Sequence, residues 1–91
     1  FLLAEALAAA GVAQGLDSGL SAQLARATVS GAGELLRQSE QSAAQLRQNV
    51  TSPGGTTAAA LSVLMRDDDG LPDLMAQAVA AATKRGRELA G

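Results

Sequence analysis

The stretch Asn49-Val50-Thr51-Ser52-Pro53-Gly54-Gly55-Thr56-Thr57-Ala58 interrupts a chain that otherwise reads as Ala- and Leu-rich helix. Pro53 fixes its own φ and steers Ser52 out of the α region, so the helix before it must end. Gly54 and Gly55 admit backbone angles denied to other residues and leave no side chain in the way of a ligand. Thr56 and Thr57 then open a new helix. Its first N–H groups lack internal partners and sit at the positive end of the helix dipole. A Gly-Gly turn feeding a helix start is a candidate anion cradle, with the hydroxyls of Ser52, Thr56 and Thr57 around it. The same residues are also an ordinary way to stop one helix and cap the next. Composition alone favours that plainer reading.

Two phosphate motifs do not fit. A P-loop requires a lysine after its last glycine, where Thr56 stands. A dinucleotide fingerprint follows a strand, whereas Gln45–Asn49 is polar and helix-like. With no cation beside the turn in sequence, a small carboxylate suits it better than a polyphosphate.

Working outward, the segment after the turn predicts a fourth helix from Thr56 to Arg66, with Leu61, Leu64 and Met65 inward. Asp67-Asp68-Asp69 lacks the alternating oxygens and closing Glu of a calcium loop, and reads as a solvated turn before the next helix. Pro72 suits the first turn of a fifth helix running to about Ala90. Leu71, Leu74, Met75, Ala78, Val79 and Ala82 are expected on its buried side. Lys84, Arg85 and Arg87 complement the dipole at its end.

Before the turn, Ser42 is a candidate N-cap for a short third helix from Ala43 to Asn49. Asp17 or Ser18 can cap a second helix from about Gly19 to Gln38. Leu20, Leu24, Ala27, Gly31 and Leu35 recur along it as one apolar stripe. The small residues around Gly31 and Gly33 suit a close helix crossing, with another chain or within this one. The first helix, Leu2 to Gln14, is apolar on nearly every face, with Glu5 and Gln14 as exceptions. Such a helix needs cover on all sides, and a second chain is the natural cover. Gly11 weakens it by about 0.8–1.0 kcal/mol relative to Ala, which predicts close approach of another helix there. Gly15 is placed for a left-handed cap. The fold class is all-α, a bundle of about five helices.

Ninety-one residues make one small domain. A chain of this size buries only about 60–65% of the surface it exposes when unfolded. It has no Cys and no His, so it lacks a thiolate and the usual general base. With one aromatic residue, Phe1, and a net charge of -2, it is not built to stack on or neutralise a nucleic acid. The apolar opening is shorter than the ~20 residues that span a bilayer, and Glu5 lies inside it. No membrane partner and no metal site are expected. The uncapped start suggests a chain cut within a helix, and so a fragment.

The run Asn-Val-Thr-Ser-Pro-Gly-Gly-Thr-Thr at 49–57 resembles the signature of pyrroline-5-carboxylate reductases. Ala-Gly-Val-Ala-Gln-Gly-Leu at 10–16, Ser39-Glu40-Gln41 and Arg85-Gly86-Arg87-Glu88-Leu89 extend the resemblance over almost the whole chain. It covers only the C-terminal domain of that enzyme. The N-terminal dinucleotide-binding domain has no counterpart here, nor does the Ser-Gly-Pro-Ala-Tyr segment that opens the family's first helix in this domain. The resemblance implies a cytoplasmic oxidoreductase that reduces 1-pyrroline-5-carboxylate to proline with NADPH or NADH, in the last step of proline biosynthesis. The cofactor would be held mainly by the other domain. This part would form the homodimer or a higher oligomer, with helices of two chains interlocked, and would hold the substrate.

Carried over residue by residue, Ser52, Gly55, Thr56 and Thr57 would receive the substrate carboxylate through N–H and hydroxyl groups. Gly54 would shape the turn beside Pro53. Thr57 would also act catalytically, its hydroxyl close to the ring nitrogen. Glu40 would have a secondary role near that nitrogen. No residue is expected to bind the cofactor or a metal, and the fragment alone should be inactive. Two alternatives stand beside this reading. A helical domain of another dehydrogenase should carry a Lys or His near its Gly-rich turn, and none is present. A stand-alone helical interaction module would perform no chemistry.

Overall fold

A computed structural model describes every residue from Phe1 to Gly91, as five helices: α1 (Leu2–Ala13), α2 (Ser18–Gln38), α3 (Ala43–Asn49), α4 (Thr56–Leu64) and α5 (Leu71–Ala90). They fall into two units, Phe1–Gln45 and Leu46–Gly91, with α3 straddling the boundary. The all-α class follows directly from these elements.

In the first unit, α1 ends where Gly15 takes φ +105°. The Gly15 N–H donates to Val12 O at 2.9 Å and the Leu16 N–H to Gly11 O at 3.1 Å. This is a Schellman cap, which satisfies carbonyls that the helix would otherwise leave bare. Two residues after Gly15, the Asp17 carboxylate accepts the Leu20 N–H at 3.2 Å and starts α2. The hairpin is closed by small side chains. Ser21 and Ala25, one turn apart on α2, are buried. The Ser21 hydroxyl donates to Ala8 O at 2.6 Å. A Cβ at Gly11 would collide with that hydroxyl and lie 3.2 Å from the Leu16 side chain, so the close approach expected at Gly11 is present.

The expected apolar stripe of α2 is not the face that meets α1. Leu20, Leu24 and Leu35 remain 45%, 47% and 53% exposed. Nothing lies within 4 Å of where a side chain at Gly31 or Gly33 would begin. The seam with α1 uses the neighbouring Ser21/Ala25 positions, whose small side chains let the two helices approach closely. Further along, the Ser42 hydroxyl accepts the Gln45 N–H at 3.1 Å, as expected of the cap of α3.

In the second unit, α4 stops at Leu64, two residues short of expectation. The chain returns so tightly that a Cβ at Gly70 would lie 2.6 Å from Leu64 O. Gly70 is buried there and precedes α5, with Pro72 in the first turn as expected. The burial expected within α4 and α5 is not made inside this chain. Leu64 and Met65 are about half exposed, and so are Leu71, Leu74, Met75 and Val79. Leu61 alone of the α4 set is half-buried.

The chain, of 9.0 kDa, exposes 7326 Å². Even two independent compact proteins of half its mass would together expose only about 5,900 Å². Large apolar side chains that neither unit covers contribute to that surface. No helix is long and apolar enough to cross a membrane.

Candidate functional site

The Ser52–Thr57 segment forms a tight turn in the second unit. The Gly55 N–H donates back to Ser52 O at 3.0 Å. Pro53 occupies the second position and Gly54, at φ +70°, the third. Proline followed by a positive-φ glycine is the type II pattern, and an L side chain at 54 would be strained. Gly55 has φ −87° and ψ −177°, extended backbone open to any residue. Its restriction is steric, since a Cβ there would sit 3.2 Å from Ser52 O. The left-handed requirement thus falls on one glycine of the pair.

Gly55 is the N-cap of α4 and supplies no side chain to the helix start. Its carbonyl accepts the Ala59 N–H at 3.1 Å, the first bond of the helical ladder. The N–H groups of Thr56, Thr57 and Ala58 have no backbone acceptor and no side-chain cap. They converge at the positive end of α4, where a negative group is favoured by about 0.3–1 kcal/mol at an exposed site. Thr57 is half-buried, while Ser52 and Thr56 are exposed.

Ser52, Gly54, Gly55, Thr56 and Thr57 are therefore gathered into one turn. The Gly55 N–H is already engaged, so the three donors left for an anion are those of Thr56, Thr57 and Ala58. Ala58 carries no chemistry in its side chain, and only its place in the first helical turn marks it. Glu40 belongs to the first unit, exposed on the connection between α2 and α3. Grooves along α1 and α2, including one lined by Phe1, Ala4, Arg26, Ala27, Val29 and Ser30, are open and mainly apolar. The turn, with its run of uncapped N–H groups, is the stronger candidate. The shifted ionisations lie elsewhere, at Glu34 and Arg37 on α2.

Residues 1–89 match the family model described as pyrroline-5-carboxylate reductase dimerisation. The chain is 43% identical over 88 residues to a pyrroline-5-carboxylate reductase of Synechocystis, covering 97% of this chain and 32% of the relative. It is 45% identical over 89 residues to the soybean (Glycine max) pyrroline-5-carboxylate reductase, covering 98% of this chain and again 32% of the relative. Among solved structures, the Plasmodium falciparum pyrroline carboxylate reductase with NADP bound superposes with a TM-score of 0.90 at 34% identity, covering 99% of this chain and 34% of that one. The chain thus spans about a third of the length of these proteins.

Proposed function

This chain belongs to the pyrroline-5-carboxylate reductase dimerisation family, and from that premise we propose that it is the homodimer-forming, substrate-holding part of an enzyme that reduces 1-pyrroline-5-carboxylate to proline. The observation that carries the proposal is the set of uncapped N–H groups at Thr56, Thr57 and Ala58 beside a turn with no obstructing side chain. A carboxylate there would accept charge-assisted hydrogen bonds, roughly twice as strong as neutral ones. Gly54 and Gly55 keep the approach open, and the Ser52 and Thr56 hydroxyls flank it.

With the carboxylate anchored, the ring of a small cyclic imino acid has one remaining heteroatom to orient. The Thr57 hydroxyl, one residue into the helix, is the group to meet the ring nitrogen and to hold or pass a proton there. Glu40 would have a secondary role near that nitrogen. The rest of catalysis is positioning, since an iminium carbon needs no covalent nucleophile from this chain.

NADPH or NADH would supply the hydride. We infer that a dinucleotide would be held mainly outside this chain, since its Gly-Gly turn follows a helix rather than the strand of a dinucleotide fingerprint. Homodimerisation is supported by the family's description and by the uncovered apolar faces of α2, α4 and α5.

Thr57→Ala in the reductase that carries this chain tests the assignment. Loss of one hydrogen bond to a charged group corresponds to roughly 1.5–3 kcal/mol, or about a tenfold to more than a hundredfold fall in turnover. Affinity for NADPH and thermal stability should stay near wild type. Full activity with unchanged substrate affinity would remove Thr57 from the mechanism.

A further inference from the structure

We propose that Thr51 is a positioning residue for the turn, holding the carboxylate cradle in place through its hydroxyl without touching substrate. The inference rests on the carboxylate-binding reading above. Its starting point is the way α3 ends. Pro53 forbids a helical Ser52, so the chain must pass from helix to turn within Val50–Ser52. α3 has seven residues, too few to hold its direction by its own ladder. Val50 cannot anchor the passage by burial, being 63% exposed.

Thr51 makes the connection twice. Its N–H donates to Gln48 O at 3.1 Å. Its hydroxyl donates to Arg47 O at 2.6 Å, well inside the 3.3 Å that separates the Val50 N–H from the same carbonyl. The next residue is Ser52, whose carbonyl receives the Gly55 N–H, and the Gly55 carbonyl in turn receives the Ala59 N–H. Hydrogen bonds on either side of the Thr51–Ser52 peptide bond therefore tie the last turn of α3 to Thr51, and Ser52 through Gly55 to the first turn of α4. The hydroxyl bond is the one among them that a side-chain substitution removes.

Without it, the direction in which the chain enters Ser52 is set only by the backbone bonds, and the N–H donors that would anchor the carboxylate at the start of α4 are held less firmly. A carboxylate anchor is used equally in the ground and transition states, so loosening it raises KM and leaves kcat alone. In the reductase carrying this chain, Thr51→Val should raise KM for pyrroline-5-carboxylate roughly three- to tenfold, the loss of one ordinary hydrogen bond. The kcat and the KM for NADPH should stay within about twofold of wild type. Thr51→Ser keeps the hydroxyl and should restore the wild-type KM. If Thr51→Val does not yield folded enzyme, the smaller Thr51→Ala carries the same test.

Three results would overturn the role of Thr51, and a fourth the cradle beneath it. An unchanged KM in Thr51→Val, while Thr57→Ala slows turnover, removes the role of Thr51 and leaves the cradle standing. A Thr51→Ser enzyme as impaired as Thr51→Val shows that the hydroxyl is not the reason. A loss shared by kcat, both KM values and thermal stability marks a merely structural residue. If Thr51→Val and Thr57→Ala are both silent, the cradle itself fails.

Discussion

The Ser21 hydroxyl fills the space that a side chain at Gly11 would need, and from there it donates to Ala8 O at 2.6 Å. Two opposing effects meet at this point. Gly11→Ala recovers about 0.8–1.0 kcal/mol of helix propensity. It also displaces the hydroxyl of the buried Ser21 from Ala8, and a buried polar group left without its partner costs about 1–3 kcal/mol. The loss offsets or exceeds the gain, so Gly11→Ala should destabilise the chain by up to about 2 kcal/mol. Gly11→Leu adds volume that the seam cannot admit and should cost about 1–3 kcal/mol. Urea unfolding checks both, and Ser21→Gly should recover part of the Gly11→Leu loss, because residues in contact do not behave additively. Strict additivity would mean that the two helices do not meet there.

Gly31 is the converse case, since nothing in the chain lies within 4 Å of where its side chain would begin. Within one chain, Gly31→Leu should therefore be harmless or slightly favourable to the helix. If this face is covered by a second copy, the substitution should weaken association by about 1–3 kcal/mol while leaving helicity intact. Sedimentation at micromolar concentration with circular dichroism separates the two effects. A wild-type chain that is monomeric there would show that the exposed leucines of α2 have no partner.

On the same helix, Glu34 binds Arg37 through both carboxylate oxygens, at 2.6 and 3.0 Å, and accepts from Gln38 at 2.7 Å. The Arg37 guanidinium first, and the Gln38 amide second, hold the Glu34 pKa below its ordinary 4.5. A carboxylate with a lowered folded pKa adds stability above its unfolded pKa, and loses it as pH falls through the folded value. The pair is exposed, so the effect on stability is small. It should be read directly by NMR titration, where the Glu34 midpoint falls below 4.5 and moves back up in Arg37→Ala. An ordinary midpoint in the wild type would show that the pair does not persist in solution.

Much of this architecture is legible in the residues themselves. Asp17 and Ser42 cap the helices they precede, Gly15 turns left-handed, and Pro72 lies in the first turn of α5. These are local effects, and local chemistry predicts them. What failed to read correctly was burial. Periodicity marks Leu20, Leu24, Leu64 and Met75 as inward, yet each is about half exposed. An apolar stripe records that a face is to be covered without saying by which chain. The early end of α4 was hidden for a related reason. It follows from the approach of Gly70 to the Leu64 carbonyl, a contact between residues six apart in sequence. In the turn, the residue types pointed to a helix start with free donors. That Gly55 spends its own N–H on Ser52, and that Thr51 ties the turn to α3, became visible only with the hydrogen bonds in place.

The most direct measurement is a crystal structure of the reductase containing this chain, grown with proline. The account predicts the proline carboxylate within about 2.7–3.2 Å of the Thr56 and Thr57 N–H groups. It also predicts the ring nitrogen within reach of the Thr57 hydroxyl. Proline bound elsewhere, with water alone on those N–H groups, would contradict it and leave Ser52–Thr57 as a helix cap.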